Sequence, residues 1–84
     1  MIHSALHRLN WQAARAHRAT TKALRGGWRR GDLRRLAQFR MEQYRAAAEQ
    51  LAALYRAVYH NDWADFLLKA VETDCRRWSS LFSV

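Results

Sequence analysis

The chain has no proline, three glycines and one cysteine in 84 residues. Without proline, and with glycine confined to one short stretch, almost nothing interrupts a helical backbone, so the expected fold class is all-α in a single domain. One cysteine excludes an intramolecular disulfide, and an oxidising compartment is therefore not what the chain is stapled for; the cytoplasm is the expected location. Acidic residues are scarce as well, seven against fifteen Lys or Arg. Half of the residues are hydrophobic, yet they never form the uninterrupted run of about 18 that a membrane span requires. Nor do the first residues hold the roughly 7–15-residue apolar core of a secretory signal. Their acid-free, arginine-rich amphipathic pattern is shared with mitochondrial presequences, but the apolar stripe runs on past such a segment and a second helix matches it. A soluble chain is expected.

What is present is helical periodicity. Ile2, Leu6, Leu9, Ala13, Ala16, Thr20 and Leu24 fall four and three residues apart, the coiled-coil-like period of a helix that lies along another helix. The clear break is Gly26-Gly27-Trp28-Arg29-Arg30-Gly31-Asp32. Glycine at 26 and 27 suits a left-handed helix end, and Asp32 an N-cap. A second stop falls at His60-Asn61-Asp62, where Asn61 or Asp62 serves as the next cap. Helices of about 2–25, 32–59 and 62–82 follow, and the short connections predict an antiparallel helical hairpin with a third C-terminal helix, up-down-up.

The second helix carries two apolar seams. One is Leu33, Ala37, Met41, Tyr44, Ala48, Leu51, Tyr55 and Val58; the other is Leu36, Phe39, Ala47, Leu54 and Ala57. So wide an arc touches two neighbours. The first helix is expected on one seam, with Ala13, Ala16, Ala47 and Ala48 letting the backbones close up, and the third helix on the second seam. Trp63, Leu67, Ala70, Val71, Cys75, Trp78 and Phe82 form the face it would bury.

Chemistry is hard to find. His3 and His7 stand four apart, as two metal ligands on one helix would, but no third ligand lies near them in sequence. Cys75 has Arg76 and Arg77 beside it, which would activate a thiol, whereas its place in an apolar stripe marks it as a core residue. The tripeptide Arg30-Gly31-Asp32 is explained by the turn and the cap. No nucleophile, base and acid arrange themselves. No catalytic residue, cofactor or metal is assigned, and the expectation is a protein that is not an enzyme.

Charge and aromatics say more. All of the formal net charge of +8 resides in residues 1–42, while residues 43–84 are neutral. Such a field draws in nucleic acid, anionic lipid or an acidic protein surface. Arg25, Arg29, Arg30, Arg34 and Arg35 around Trp28 are the candidates for nucleic-acid contact, guanidinium forks with an aromatic between them. Leu6, Leu9, Trp11, Trp28, Leu51 and Tyr55 are the candidates for contact with a protein partner. Of these, Trp11 lies off the apolar stripe and Trp28 in the turn, where an aromatic serves as an interface anchor. Tyr44, Tyr55, Trp63 and Trp78 fall at core spacing.

The glycine turn Arg30-Gly31-Asp32, followed by Gln38, Glu42-Gln43-Tyr44, Glu49-Gln50 and the closing Leu54-Tyr55-Arg56-Ala57-Val58-Tyr59-His60-Asn61, resembles the YscE/SsaE-type co-chaperones of type III secretion over about residues 5–61. The resemblance implies a cytoplasmic helical hairpin that joins a helical-repeat partner chaperone, the pair holding a needle subunit unpolymerised until export, with no catalytic residues. The helix at 62–82 lies beyond the matched stretch, and the basic first half suits an acidic partner surface. The readings rank as a helical interaction protein, hetero- or homo-oligomeric, then a basic nucleic-acid-binding or regulatory protein, phage-borne in one version, then a protein of anionic membrane surfaces.

Overall fold

The computed structural model describes residues 2–26, 31–59 and 62–82. They form three helices, α1 (Ile2–Arg25), α2 (Gly31–Tyr59) and α3 (Trp63–Ser80), within two residues of the bounds expected from sequence. Charge at the ends favours each of them: Lys22 and Arg25 close α1, Asp32 stands in the first turn of α2, and Asp65 and Arg77 stand at the positive and negative ends of α3.

Local details at the ends differ from the sequence reading. Gly26 donates its N–H to the Lys22 carbonyl at 2.8 Å but does not take a left-handed backbone. Its lack of a side chain serves packing instead, since a Cβ there would lie 2.7 Å from Leu33 Cδ1 and 3.2 Å from the Lys22 carbonyl oxygen. Gly27 and Asn61 lie outside the described residues. Asp62 holds the N-cap position of α3 without a side-chain capping hydrogen bond; the Phe66 N–H donates to its carbonyl at 3.2 Å.

Helix α1 packs on α2 and α2 on α3, while α1 and α3 touch only lightly. Contacts fix the directions. Arg8 Nη1 donates to Gln50 Oε1 at 2.9 Å, and Gly26 abuts Leu33, so α1 and α2 are antiparallel. Along α3, Tyr55 stacks near Trp63, Tyr44 bonds Asp74 and Arg34 reaches the Phe82 carbonyl, so α2 and α3 are antiparallel too. The up-down-up arrangement stands, but as an open layer with α2 in the middle. The extents are 45 × 22 × 13 Å and the radius of gyration 14.0 Å, against about 12 Å for a compact domain of this length.

The assignment of seams is reversed from expectation. Helix α3 lies on the first seam: the Cys75 thiol donates to the Met41 carbonyl at 3.9 Å, Ser79 Oγ sits 3.5 Å from Met41 Sδ, and Tyr44 bonds Asp74 at 3.1 Å. Helix α1 sits on the flank that holds Ala47 and Leu54, where Ser4 and Ala5 line a depression with Gln50 and Leu54. Leu36 and Phe39 of the second seam remain exposed. The physical reason is side-chain size. Among the described residues, eight of the sixteen buried hydrophobic ones are alanine, so the helices close on narrow rows and leave the bulky edges of the seam outside.

Candidate functional site

Antiparallel packing brings the start of α1, the end of α2 and the start of α3 to one end of the layer. There α2 and α3 are tied by an aromatic run, with ring centroids 5.4 Å apart for Tyr55 and Tyr59 and 4.3 Å for Tyr55 and Trp63, and by the ion pair of Arg56 with Asp65. Around these ties the apolar surface stays open. Phe66 is 70% exposed and Trp63 40%, and Val58, Tyr59 and, on α1, Leu6 are exposed with them. Large apolar side chains left exposed at one end are the pattern of an interaction site.

A second surface is the outer side of α1. His3, His7, Trp11, Arg18, Lys22 and Arg25 project away from the row that faces α2, since they fall on the side of the helical wheel opposite the buried positions Ala5, Leu9, Ala16, Thr20 and Ala23. The guanidinium of Arg15 lies over the Trp11 ring, 4.5 Å from its centroid, and Trp11 is 49% exposed. His3, His7 and Trp11 rim a depression with Ser4, Arg8 and Gln12. Gln12 Oε1 is enclosed with no hydrogen-bond partner.

The partner candidates read from sequence separate in space. Leu9 and Leu51 are corrected: both are buried, Leu51 at 0% exposure, because they belong to the hydrophobic core shared by the helices. Leu6 is exposed, and Tyr55 is half-buried in the aromatic run. Trp11 is exposed as expected, and Trp28 lies outside the described residues. Among the candidates for nucleic-acid contact, Arg25 and Arg35 are exposed, and Arg29 and Arg30 lie outside the described residues. Arg34 is engaged within the fold, donating to the Phe82 carbonyl at 3.4 Å with its guanidinium 5.5 Å from that ring. Trp63, expected in the core, is exposed on the flank of α3.

The open end was missed in the sequence. The available signal was Phe66, an apolar residue that falls off the Trp63–Leu67–Val71 row of its own helix. Cys75 is a core residue, fully buried; burial pushes its thiol up, outweighing the nearby Arg45 charge. Arg76 and Arg77, its sequence neighbours, face outward and pair with Glu72 and Asp74. Among the described residues, no three His, Cys, Asp or Glu side chains gather as a metal site, and no helix is long and apolar enough to cross a membrane.

Fold and surface together define an all-helical protein, a hairpin extended by one helix into an open layer. The chain matches no protein-family model, no curated protein and no solved structure.

Proposed function

We propose that this is a small, non-catalytic helical interaction protein of the cytoplasm that binds a helical protein partner through the open end of the layer. The observation that carries the reading is that Val58 and Tyr59 at the end of α2 and Trp63 and Phe66 at the start of α3 are large apolar side chains left exposed at one end of the layer. The fold does not need Phe66 for packing, whereas an interface anchor would be placed there. The resemblance to YscE/SsaE-type co-chaperones gives the proposal a specific form. The partner is a helical-repeat chaperone, and the pair keeps a needle subunit unpolymerised.

The test is purification of the tagged protein from its native cell, with Phe66→Asp beside the wild type. The wild type is expected to retain a helical-repeat protein together with a small polymerising subunit. Phe66→Asp is expected to lose both while keeping its helical circular-dichroism spectrum. Leu51→Asp serves as the control that unfolds, because it buries a charge. A folded Phe66→Asp that still carries the partner would move the interface elsewhere.

A further inference from the structure

Four cations of α2 and α3 are held in ion pairs. Arg45 pairs with Glu72, Arg56 with Asp65, Arg76 with Glu72 and Arg77 with Asp74. Helix α1 is different. It holds Arg8, Arg15, Arg18, Lys22 and Arg25 with no acidic residue, and its side chains take part in none of these ion pairs. The side chains of Arg18, Lys22 and Arg25 make no hydrogen bond, ion pair or ring contact among the described residues, and on α2 the same is true of the Arg35 side chain. Lys22 and Arg25 gain a little from the helix dipole; Arg18, farther back, gains little, and crowding like charges costs stability.

Three observations narrow what this face fits. Its charge has one sign along a helix of about 36 Å, so it sets no register of alternating pairs such as a partner helix uses. Most of the apolar stripe of α1 is buried, with Ala5, Leu9, Ala16 and Ala23 covered and only Leu6 and Leu24 exposed towards its two ends, so α1 lacks a continuous apolar face with which to enter a lipid surface. The one large apolar group on the outer face is Trp11, planar, exposed, and carrying the Arg15 guanidinium 4.5 Å from its ring centroid. An indole and a guanidinium together are a stacking platform for an unpaired base.

We propose that the outer face of α1 binds single-stranded nucleic acid, with Arg18, Lys22 and Arg25 on consecutive phosphates and Trp11, backed by Arg15, stacking on a base. From Trp11 to Arg25 the face spans about 21 Å along the helix axis, room for a few nucleotides. The site is separate from the open end, so it stands or falls apart from the partner reading.

The experiment is a fluorescence-anisotropy titration of the full chain with a labelled oligothymidylate of about 15 nucleotides, repeated across salt concentration. Wild-type binding is expected to weaken linearly in log–log salt. Replacing Arg18, Lys22 and Arg25 together by Gln is expected to lower that slope by about 2, three contacts at roughly 0.7 each for a single strand. Trp11→Ala is expected to weaken binding roughly tenfold with the slope unchanged, which charge alone does not produce. Replacing Arg18 and Arg25 by Lys keeps the charge and is expected to keep the slope, which guards against a misfolded Gln variant. Phe66→Asp is expected to bind the oligonucleotide as the wild type does. Absence of binding near physiological salt overturns the proposal. So does equal or tighter binding of poly-glutamate, which would make the ligand an acidic protein, or of phosphatidylserine vesicles, which would make it a membrane surface.

Discussion

Tyr44→Phe removes one oxygen from the middle of the layer, and its effect should change with pH in a calculable way. Tyr44 is buried at 7% exposure, and its hydroxyl donates to Asp74 Oδ2 at 3.1 Å. Burial first, then the hydrogen bond and negative charge of Asp74, push the phenol from 10.0 up to about 12. The folded state thus favours the neutral phenol, while the unfolded chain ionises at its ordinary value. This contribution to stability is fully present below about pH 10 and is lost as pH rises towards 12. The loss works out at about 0.4 kcal/mol at about pH 10, about 1.4 kcal/mol at about pH 11 and at most about 2.7 kcal/mol beyond the folded value. At neutral pH, Tyr44→Phe should cost about 1 kcal/mol, at the low end for a bond to a carboxylate, because Asp74 keeps Arg77 at 3.1 Å and is reached by water. Urea unfolding of both proteins at about pH 7, 10 and 11 measures this. Groups common to both chains, Cys75 among them, cancel in the difference. The variant should start less stable and overtake the wild type near about pH 11. If it loses stability through the alkaline window as steeply as the wild type, the Tyr44–Asp74 assignment is wrong.

Two further outcomes follow from the core. Cys75 is fully buried with its thiol pushed up, so alkylation of the folded protein near about pH 8 should run roughly a hundredfold slower than in denaturant, reporting an opening free energy of about 3 kcal/mol; equal rates would place the thiol at the surface. Gln12→Met removes the enclosed Oε1 that lacks a partner at similar volume, and should raise stability by about 1 kcal/mol; a loss in thermal or urea unfolding would mean that this oxygen is satisfied in solution.

Much of the architecture was legible because helix formation is local. Three helices and their bounds follow from the absence of proline, the clustered glycines and the apolar period, each of which acts within a turn or two of backbone. The placement of charge was equally legible, since an acid-free α1 is a property of the string. Which seam meets which helix was not. Leu36 and Phe39 look like core by spacing, but alanine rows at Ala16, Ala37, Ala47 and Ala48 let the helices approach closely elsewhere, and close approach over small residues decided the pairing.

The candidate surfaces divide in the same way. By itself the sequence determined that α1 is cationic on its outer side and that Trp11 lies off the stripe, because both depend only on helical period. Only the tertiary structure decided that Leu9 and Leu51 are core residues, that Arg34 is engaged by Phe82, and that Val58, Tyr59, Trp63 and Phe66 stay exposed at one end. Those outcomes depend on how the three helices are rotated and slid against one another. That setting is made by side-chain volumes packing across the interfaces between helices, a non-local sum that no single segment of the chain contains.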